Sequence, residues 1–100
     1  NEHAEAFVPL IDFIKAQGST AGIQLAHAGR KAATQAPWLG GKPLAPNNRG
    51  WQPLAPSPIP FAAGRQTPRE ATADDLDEIT RQFVEATHRS LEAGFQVVEL

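Results

Sequence analysis

The sequence predicts an α/β fold that is a fragment of a larger barrel. Three observations support this prediction: helix and strand signals alternate, the two strand signals are short apolar runs, and the chain has only 100 residues. Parallel strands need a covering layer on each face of their sheet. Two helices and two strands cannot supply both layers, so we expect the rest of the domain to lie outside this sequence.

The first predicted elements are a helix and a strand. Gly18 stands where a helix C-cap glycine belongs. The apolar run 21–26 is too short for a helix and is followed by Gly29, so it predicts a buried strand. The helix prediction depends on four apolar residues at i, i+3, i+4 and i+7: Phe7, Leu10, Ile11 and Ile14.

Residues 31–71 show neither helical nor strand periodicity. Eight of the nine prolines lie between Pro37 and Pro68, together with Trp38 and Trp51. Loops of this length tend to be functional or disordered, and disordered segments are poor in aromatic residues. We therefore expect an ordered loop whose aromatic side chains are packed. The alternative is a solvated proline-rich linker.

A second helix and strand follow the loop. Thr72 and Asp75 match the capping-box pattern, and Gly94 supplies a C-cap. The run 95–100 predicts a second buried strand, so that strand, helix and strand form a βαβ unit with parallel strands. The helical spacing is carried by five apolar residues: Leu76, Ile79, Phe83, Ala86 and Leu91.

Composition excludes several classes of protein. The formal net charge of −2 gives no reason to expect nucleic acid or an anionic membrane as partner. The first residues lack the features of a signal peptide, and no apolar run is long enough to cross a bilayer. Cysteine is absent, and the three histidines show no metal-ligand spacing. We expect a cytoplasmic protein without a metal site in this stretch.

Functional residues of barrels and doubly wound sheets collect at the carboxyl ends of strands. That rule selects Gln24, His27, Arg30 and Lys31. The amide of Gln24 suits the uracil-like edge of a flavin, or it is a buried amide satisfied by neighbouring backbone. His27 is an acid/base group, a ligand or a structural residue, and Arg30 with Lys31 either holds an anion or is solvated.

Residues 22–32 (GIQLAHAGRKA) resemble the third-strand motif of the old yellow enzyme family of FMN-dependent ene-reductases. Ala26 stands where the classical members have tryptophan, which is similar to the bacterial thermophilic-like branch and suggests a roomier substrate pocket. Further pieces agree with the family in the same order: residues 55–57 (APS) with 59–61 (IPF), 67–69 (TPR), and 92–95 (EAGF) leading to 97–99 (VVE).

The resemblance implies a (β/α)8 TIM barrel that carries non-covalent FMN. Residues 1–100 would be a partial barrel domain, from about helix 2 to strand 4, with 31–71 as the capping loop after strand 3. Gln24 would hydrogen-bond the pyrimidine part of the flavin.

The implied reaction uses NAD(P)H to reduce an activated alkene such as an enone. The family's His-x-x-His or His-x-x-Asn pair and its tyrosine would follow Leu100, so no catalytic residue is expected on this chain. The expected partners are a small electrophilic alkene and further copies of the parent protein, and neither nucleic acid nor a membrane.

Three alternatives stay open at this point. The chain could belong to the barrel of a flavin and iron–sulfur reductase of the dienoyl-CoA type. It could be a binding module that offers residues 53–56 (PLAP) as a polyproline ligand. It could also be a non-catalytic fragment that binds no FMN.

Overall fold

A computed structural model of the protein describes residues 1–45 and 47–100, which form two compact units. The first unit comprises residues 1–26 and 77–100, and the second comprises residues 27–76. Two short 3-10 turns, Gly29–Lys31 and Pro37–Leu39, accompany the regular elements. In chain order these are α1 (Glu2–Ala16), β1 (Gly22–Gln24), β2 (Leu54–Ala55), β3 (Arg69–Glu70), α2 (Ala73–Ala93) and β4 (Val97–Glu99).

Both predicted helices are confirmed, and glycine ends each of them. The side chain of Asn1 caps α1 by accepting the N–H of Ala4 at 3.2 Å. Gly18 has φ +79° and Gly94 has φ +105°, the left-handed conformation that glycine adopts without strain. The N–H of Gly94 bonds the carbonyl of Leu91 at 3.0 Å, which closes the last turn of α2.

The strands β1 and β4 pair in parallel, as the βαβ prediction requires. Gly22 lies opposite Val97, Ile23 opposite Val98, and Gln24 opposite Glu99. The pairing continues beyond β1, because the N–H of Leu25 bonds the carbonyl of Glu99 at 2.9 Å.

The core of the first unit lies between α1 and one face of this strand pair. Ile11 is completely buried, and Ala21 and Phe95 pack beside it with Ile14, Ile23 and Ala93. The ring of Phe7 meets that of Phe95 edge-to-face, with centroids 5.6 Å apart.

The prediction that both strands are buried is wrong for one face of the sheet. Gly22, Gln24, Val97 and Glu99 are exposed, because no described residue forms a layer on that side. Two residues of the predicted apolar face of α2 are also more than half exposed, namely Leu76 and Leu91.

The second unit contains the long proline-rich segment, and it is ordered by backbone pairing. Residues Leu54 and Ala55 of β2 pair in parallel with Arg69 and Glu70 of β3. Around this pair Ala33, Pro53, Ala55 and Pro68 are buried. A second pairing, between Thr34 and Pro43, closes a hairpin that carries the 3-10 turn Pro37–Leu39.

Both tryptophans are more than half exposed in the described part of the chain. Trp38 is 85% exposed and Trp51 is 57% exposed, whereas packed aromatics were expected. Sequence can show that a segment carries aromatic residues, but the surface that covers them belongs to tertiary structure. That residues 31–71 cap a barrel stays a prediction.

The predicted capping box is confirmed at the start of α2. Asp75 donates its N–H to the hydroxyl of Thr72 at 3.2 Å, and its carboxylate accepts the N–H of Thr72 at 2.8 Å. Arg69 adds two parallel bonds of 2.7 Å to the same carboxylate. These donors hold the pKa of Asp75 well below its usual range, with the Arg69 guanidinium as the largest cause and the Thr72 N–H and hydroxyl next.

We expect Asp75→Asn to lower the free energy of unfolding at neutral pH, because the uncharged amide loses the ion pair and weakens the cap. The folded-state pKa of Asp75 is depressed, so its contribution is complete above the ordinary value of 3.8 and is lost as the pH falls through the folded value. Urea unfolding of both proteins should therefore show a constant difference from neutral pH down to the ordinary value of 3.8 and a shrinking difference below it. Asp74→Asn is the matched control, since Asp74 lies in the same first turn. Equal losses in the two variants would contradict the role given to Asp75.

Candidate functional site

The carboxyl ends of β1 and β4 meet at one edge of the strand pair in the first unit. Gln24 is the last residue of β1 and lies opposite Glu99, the last residue of β4. Ile23 faces the core. Because side chains alternate along a strand, its two neighbours Gly22 and Gln24 lie on the other face. This edge is where parallel α/β proteins place their ligands.

The amide of Gln24 is exposed and makes no side-chain hydrogen bond within the described part of the chain. That this amide binds a flavin edge stays a prediction. A free primary amide offers two donors and an acceptor. It can bind a planar group whose edge alternates carbonyl oxygens with N–H groups.

His27 belongs to the second unit and closes a local turn. Its Nδ1 accepts the N–H of Gly29 at 3.2 Å, which assigns the proton of a neutral ring to Nε2. This contact shapes the start of the 3-10 turn Gly29–Lys31, so the structural alternative for His27 is favoured. Among residues 1–45 and 47–100, no three His, Cys, Asp or Glu side chains converge as a metal site.

Arg30 lies within the same 3-10 turn, and its side chain hydrogen-bonds a part of the loop that is distant in sequence. One guanidinium nitrogen donates to the carbonyl of Ile59 at 3.0 Å, and another donates to the Ser57 hydroxyl at 3.1 Å. Its side chain is therefore not simply solvated, which was one of the two alternatives that the sequence left open. Arg30 instead joins the 3-10 turn to residues 57–59.

Lys31 places its ammonium group 4.8 Å from the centroid of the Phe61 ring. Both residues line a cavity of ≈ 260 Å³ in the second unit, together with Gln35 and Arg65. Sequence reasoning missed Gln35 and Arg65, which lie in a segment without periodicity. The available signal was charge: no Asp or Glu occurs between Asp12 and Glu70.

Comparison with known proteins decides the family. The model of the NADH:flavin oxidoreductase / NADH oxidase family matches residues 1–100, the whole chain. The chain belongs to this family. The resemblance to old yellow enzymes that the motifs indicate is thereby confirmed.

The chain is similar to oxidoreductases of several organisms. The chain is 40% identical over 100 residues to an NADPH dehydrogenase of Bacillus velezensis and 39% identical over 100 residues to one of Bacillus subtilis. It is 39% identical over 92 residues, or 88% of this chain, to an NADH:flavin oxidoreductase of Gibberella zeae, of which it covers 22%. The chain spans about a quarter of the length of the two Bacillus proteins, 25% in each case.

Membership in this family implies a TIM barrel. The parallel β1–β4 pair, joined through α2, is the α/β arrangement that such a barrel repeats. No helix among residues 1–45 and 47–100 combines the length and apolar character needed to cross a membrane.

We expect Arg30→Met to loosen the loop around residues 57–61, because two donors from a charged group are lost. Chymotrypsin cleavage after Phe61 should become on the order of tenfold faster if about 1.4 kcal/mol of local stability is lost. Arg49→Met is the matched control, since Arg49 is exposed in another turn of the same unit. An unchanged cleavage rate in Arg30→Met would exclude this role for Arg30.

Proposed function

We propose that this chain is part of an FMN-dependent NAD(P)H oxidoreductase that reduces activated C=C bonds such as those of enones. The family match over all 100 residues supports the oxidoreductase class. The observation that carries the cofactor assignment is the free amide of Gln24 at the carboxyl end of a parallel strand. The names of the Bacillus relatives favour NADPH as the hydride donor.

We place the chain between the second helix and the fourth strand of the barrel. The uncovered face of β1 and β4 supports this placement, since in a closed barrel that face points inward and meets other strands. A second uncovered surface lies on α2, where Ile79, Phe83 and Val84 line a cavity of ≈ 360 Å³ with Leu100. A neighbouring element of a barrel would cover such an apolar surface.

The residues present fit a flavin at the strand edge. The Gln24 amide is exposed, so no bond within the described chain has to break before it binds a ligand. Its N–H donors and carbonyl acceptor match the alternating carbonyl and N–H groups of a pyrimidine edge. The chemistry that FMN supplies when bound is hydride transfer from NAD(P)H to the alkene. Gln24 would bind and orient the cofactor without taking part in proton transfer.

Hydrogen-bond donors for the substrate carbonyl are part of the proposal for the full-length protein. Such donors stabilise the negative charge that develops on oxygen as hydride arrives at carbon. We place them, with a tyrosine proton donor, directly after Leu100 at the edge where β4 ends. No residue of this chain is assigned a catalytic role.

The polyproline-ligand alternative is disfavoured by the second unit. Pro53 is fully buried, and its carbonyl accepts the N–H of Arg69 at 2.8 Å. Leu54 and Ala55 are paired with β3. A segment so paired cannot dock as a free polyproline helix. A cytoplasmic location and a homo-oligomeric parent stay predictions.

The full-length protein tests the proposed function directly. It should purify with flavin absorbance, release FMN on denaturation, and oxidise NADPH in the presence of 2-cyclohexenone under anaerobic conditions. The reading frame beyond Leu100 should contain the His-x-x-His or His-x-x-Asn pair with a nearby tyrosine. A protein without flavin, or a flavoprotein inert toward enones, would contradict the corresponding part of the proposal. Iron–sulfur absorbance would favour the dienoyl-CoA type of reductase.

Gln24→Ala should weaken FMN binding to the full-length protein or shift the flavin reduction potential. The expected loss is about 1 kcal/mol, because a polar edge of the flavin loses a hydrogen-bond partner. Fluorescence titration of the apoprotein with FMN gives the dissociation constant, and dye equilibration gives the potential.

Gln96→Ala is the matched control for Gln24→Ala. Gln96 is exposed in the same unit but precedes β4, at the amino end of the strands. Its replacement should leave FMN affinity and potential unchanged. If Gln24→Ala behaves like Gln96→Ala, the role given to Gln24 is wrong.

A further inference from the structure

Glu99 is the second polar residue at the carboxyl edge of the strand pair, beside Gln24. It is the last residue of β4, it lies opposite Gln24, and its side chain is exposed. Among the described residues its carboxylate has neither an ion-pair partner nor a hydrogen-bond partner. Two unpaired polar side chains, one amide and one carboxylate, therefore lie next to each other at the edge where the cofactor is proposed to bind.

The open face of β1 and β4 offers Glu99 one polar side chain, that of Gln24. Because side chains alternate along a strand, this face carries Gly22 and Gln24 of β1 and Val97 and Glu99 of β4. Gly22 has no side chain, and Val97 is apolar. Neighbouring strands lie about 4.8 Å apart, so two long side chains that are opposite in register can reach each other. The amide of Gln24 is thus the side-chain donor that the two strands present to Glu99.

The Lys and Arg residues of the first unit lie on its helices, away from this face. Lys15 belongs to α1, and Arg81 and Arg89 belong to α2. Residues of both helices line one cavity together with Ile23, which places the two helices on the opposite face of the strand pair. Arg81 and Arg89 are also paired with carboxylates of α2 itself. The described part of this unit therefore gives Glu99 an amide as neighbour and no cation.

Closure of a barrel would make this open face an interior face, from which water is largely excluded. A carboxylate without a hydrogen bond is costly in such a place. The Gln24 amide has two N–H donors, so it can give one to Glu99 and keep the other, with its carbonyl oxygen, for a ligand. An ionised carboxylate only accepts hydrogen bonds. Contact with Glu99 therefore requires that the nitrogen of the amide, and not its oxygen, is directed toward β4.

We propose that Glu99 is a positioning residue whose carboxylate accepts one N–H of the Gln24 amide and thereby fixes the orientation in which that amide meets the flavin. This inference rests on the proposed function. Without Glu99 the amide can rotate by half a turn about its last side-chain bond, which exchanges the donor and the acceptor. At a given place along the pyrimidine edge, only one of these two orientations pairs N–H groups with carbonyl oxygens. Glu99 removes the wrong orientation before the cofactor binds.

Titration of the full-length apoprotein with FMN tests whether Glu99 acts through Gln24. Glu99→Ala should raise the Kd for FMN several-fold, as expected when the effect of one hydrogen bond is lost. The same substitution in a Gln24→Ala background should have no further effect, because no amide is left to orient. An equal effect in both backgrounds would overturn the inference, since the carboxylate would then act on the flavin directly. An unchanged or lowered Kd in Glu99→Ala would overturn it as well.

Glu99→Gln separates orientation from charge. Glutamine keeps an acceptor oxygen at nearly the same position, so it should preserve most of the FMN affinity and most of the flavin reduction potential that Glu99→Ala changes. If the two substitutions shift the potential equally, the negative charge is what matters and the inference is wrong. Glu92→Gln is the matched control, because Glu92 is exposed in the same unit but lies near the end of α2. It should leave FMN affinity and potential unchanged.

Urea unfolding of the full-length apoprotein separates this inference from the flavin proposal, because it needs neither flavin nor turnover. Gln24→Ala and Glu99→Ala each remove the same hydrogen bond, so the double variant should lose less stability than the sum of the two single losses. Additive losses would overturn the inference. Non-additive losses in a protein that binds no FMN would confirm the contact between Gln24 and Glu99 and contradict the proposed function alone.

Discussion

The parallel pairing of β1 with β4 is the constraint on which the first unit depends. Parallel strands have both carboxyl ends at one edge, so the register that sets Gln24 opposite Glu99 brings the ends of two distant segments together. The helix α1 packs on one face of this pair, where Phe95 and Ala21 bury against Ile11. The opposite face is left for ligand or for further strands. The exposure of Gln24 thus follows from the pairing as well as from the polarity of its side chain.

The second unit is stabilised differently from the first, because it has only a small core of its own. Its largest fully buried side chains are two prolines, Pro53 and Pro68. Proline restricts the unfolded chain, so less conformational entropy is lost when such a loop becomes ordered. The remaining order comes from specific polar contacts: the short β2–β3 pairing, the Arg30 bonds to residues 57–59, and the capping box at Thr72. Because so few contacts order this loop, the loss of any one of them should lower its local stability markedly.

Local signals in the sequence predicted local structure well. The capping box needs only Thr72 and Asp75, three residues apart, and the two helix ends need only a glycine at Gly18 and at Gly94, so their geometry follows from near neighbours. The exposure of Trp38 and Trp51 could not be predicted, because it depends on which surfaces lie nearby. The bonds of Arg30 span 27 and 29 residues, and a two-residue strand such as β2 has too few positions to show a period. The place of Gln24 was predicted from the strand-end rule, while the role of Arg30 required the structure.

The sequence segments that resemble the family largely contact one another in the structure. Arg30 and Lys31 of the strand motif contact Ser57, Ile59 and Phe61 of the next piece. Arg69 of the third piece lies opposite Leu54, which adjoins the second piece, and residues 97–99 lie opposite residues 22–24 of the strand motif. Most of the sequence likeness therefore describes how the loop is built, and a protein could keep all of it while changing its substrate. Gln24 differs, since its side chain is exposed and makes no hydrogen bond within the described chain. The proposed cofactor assignment therefore depends on Gln24.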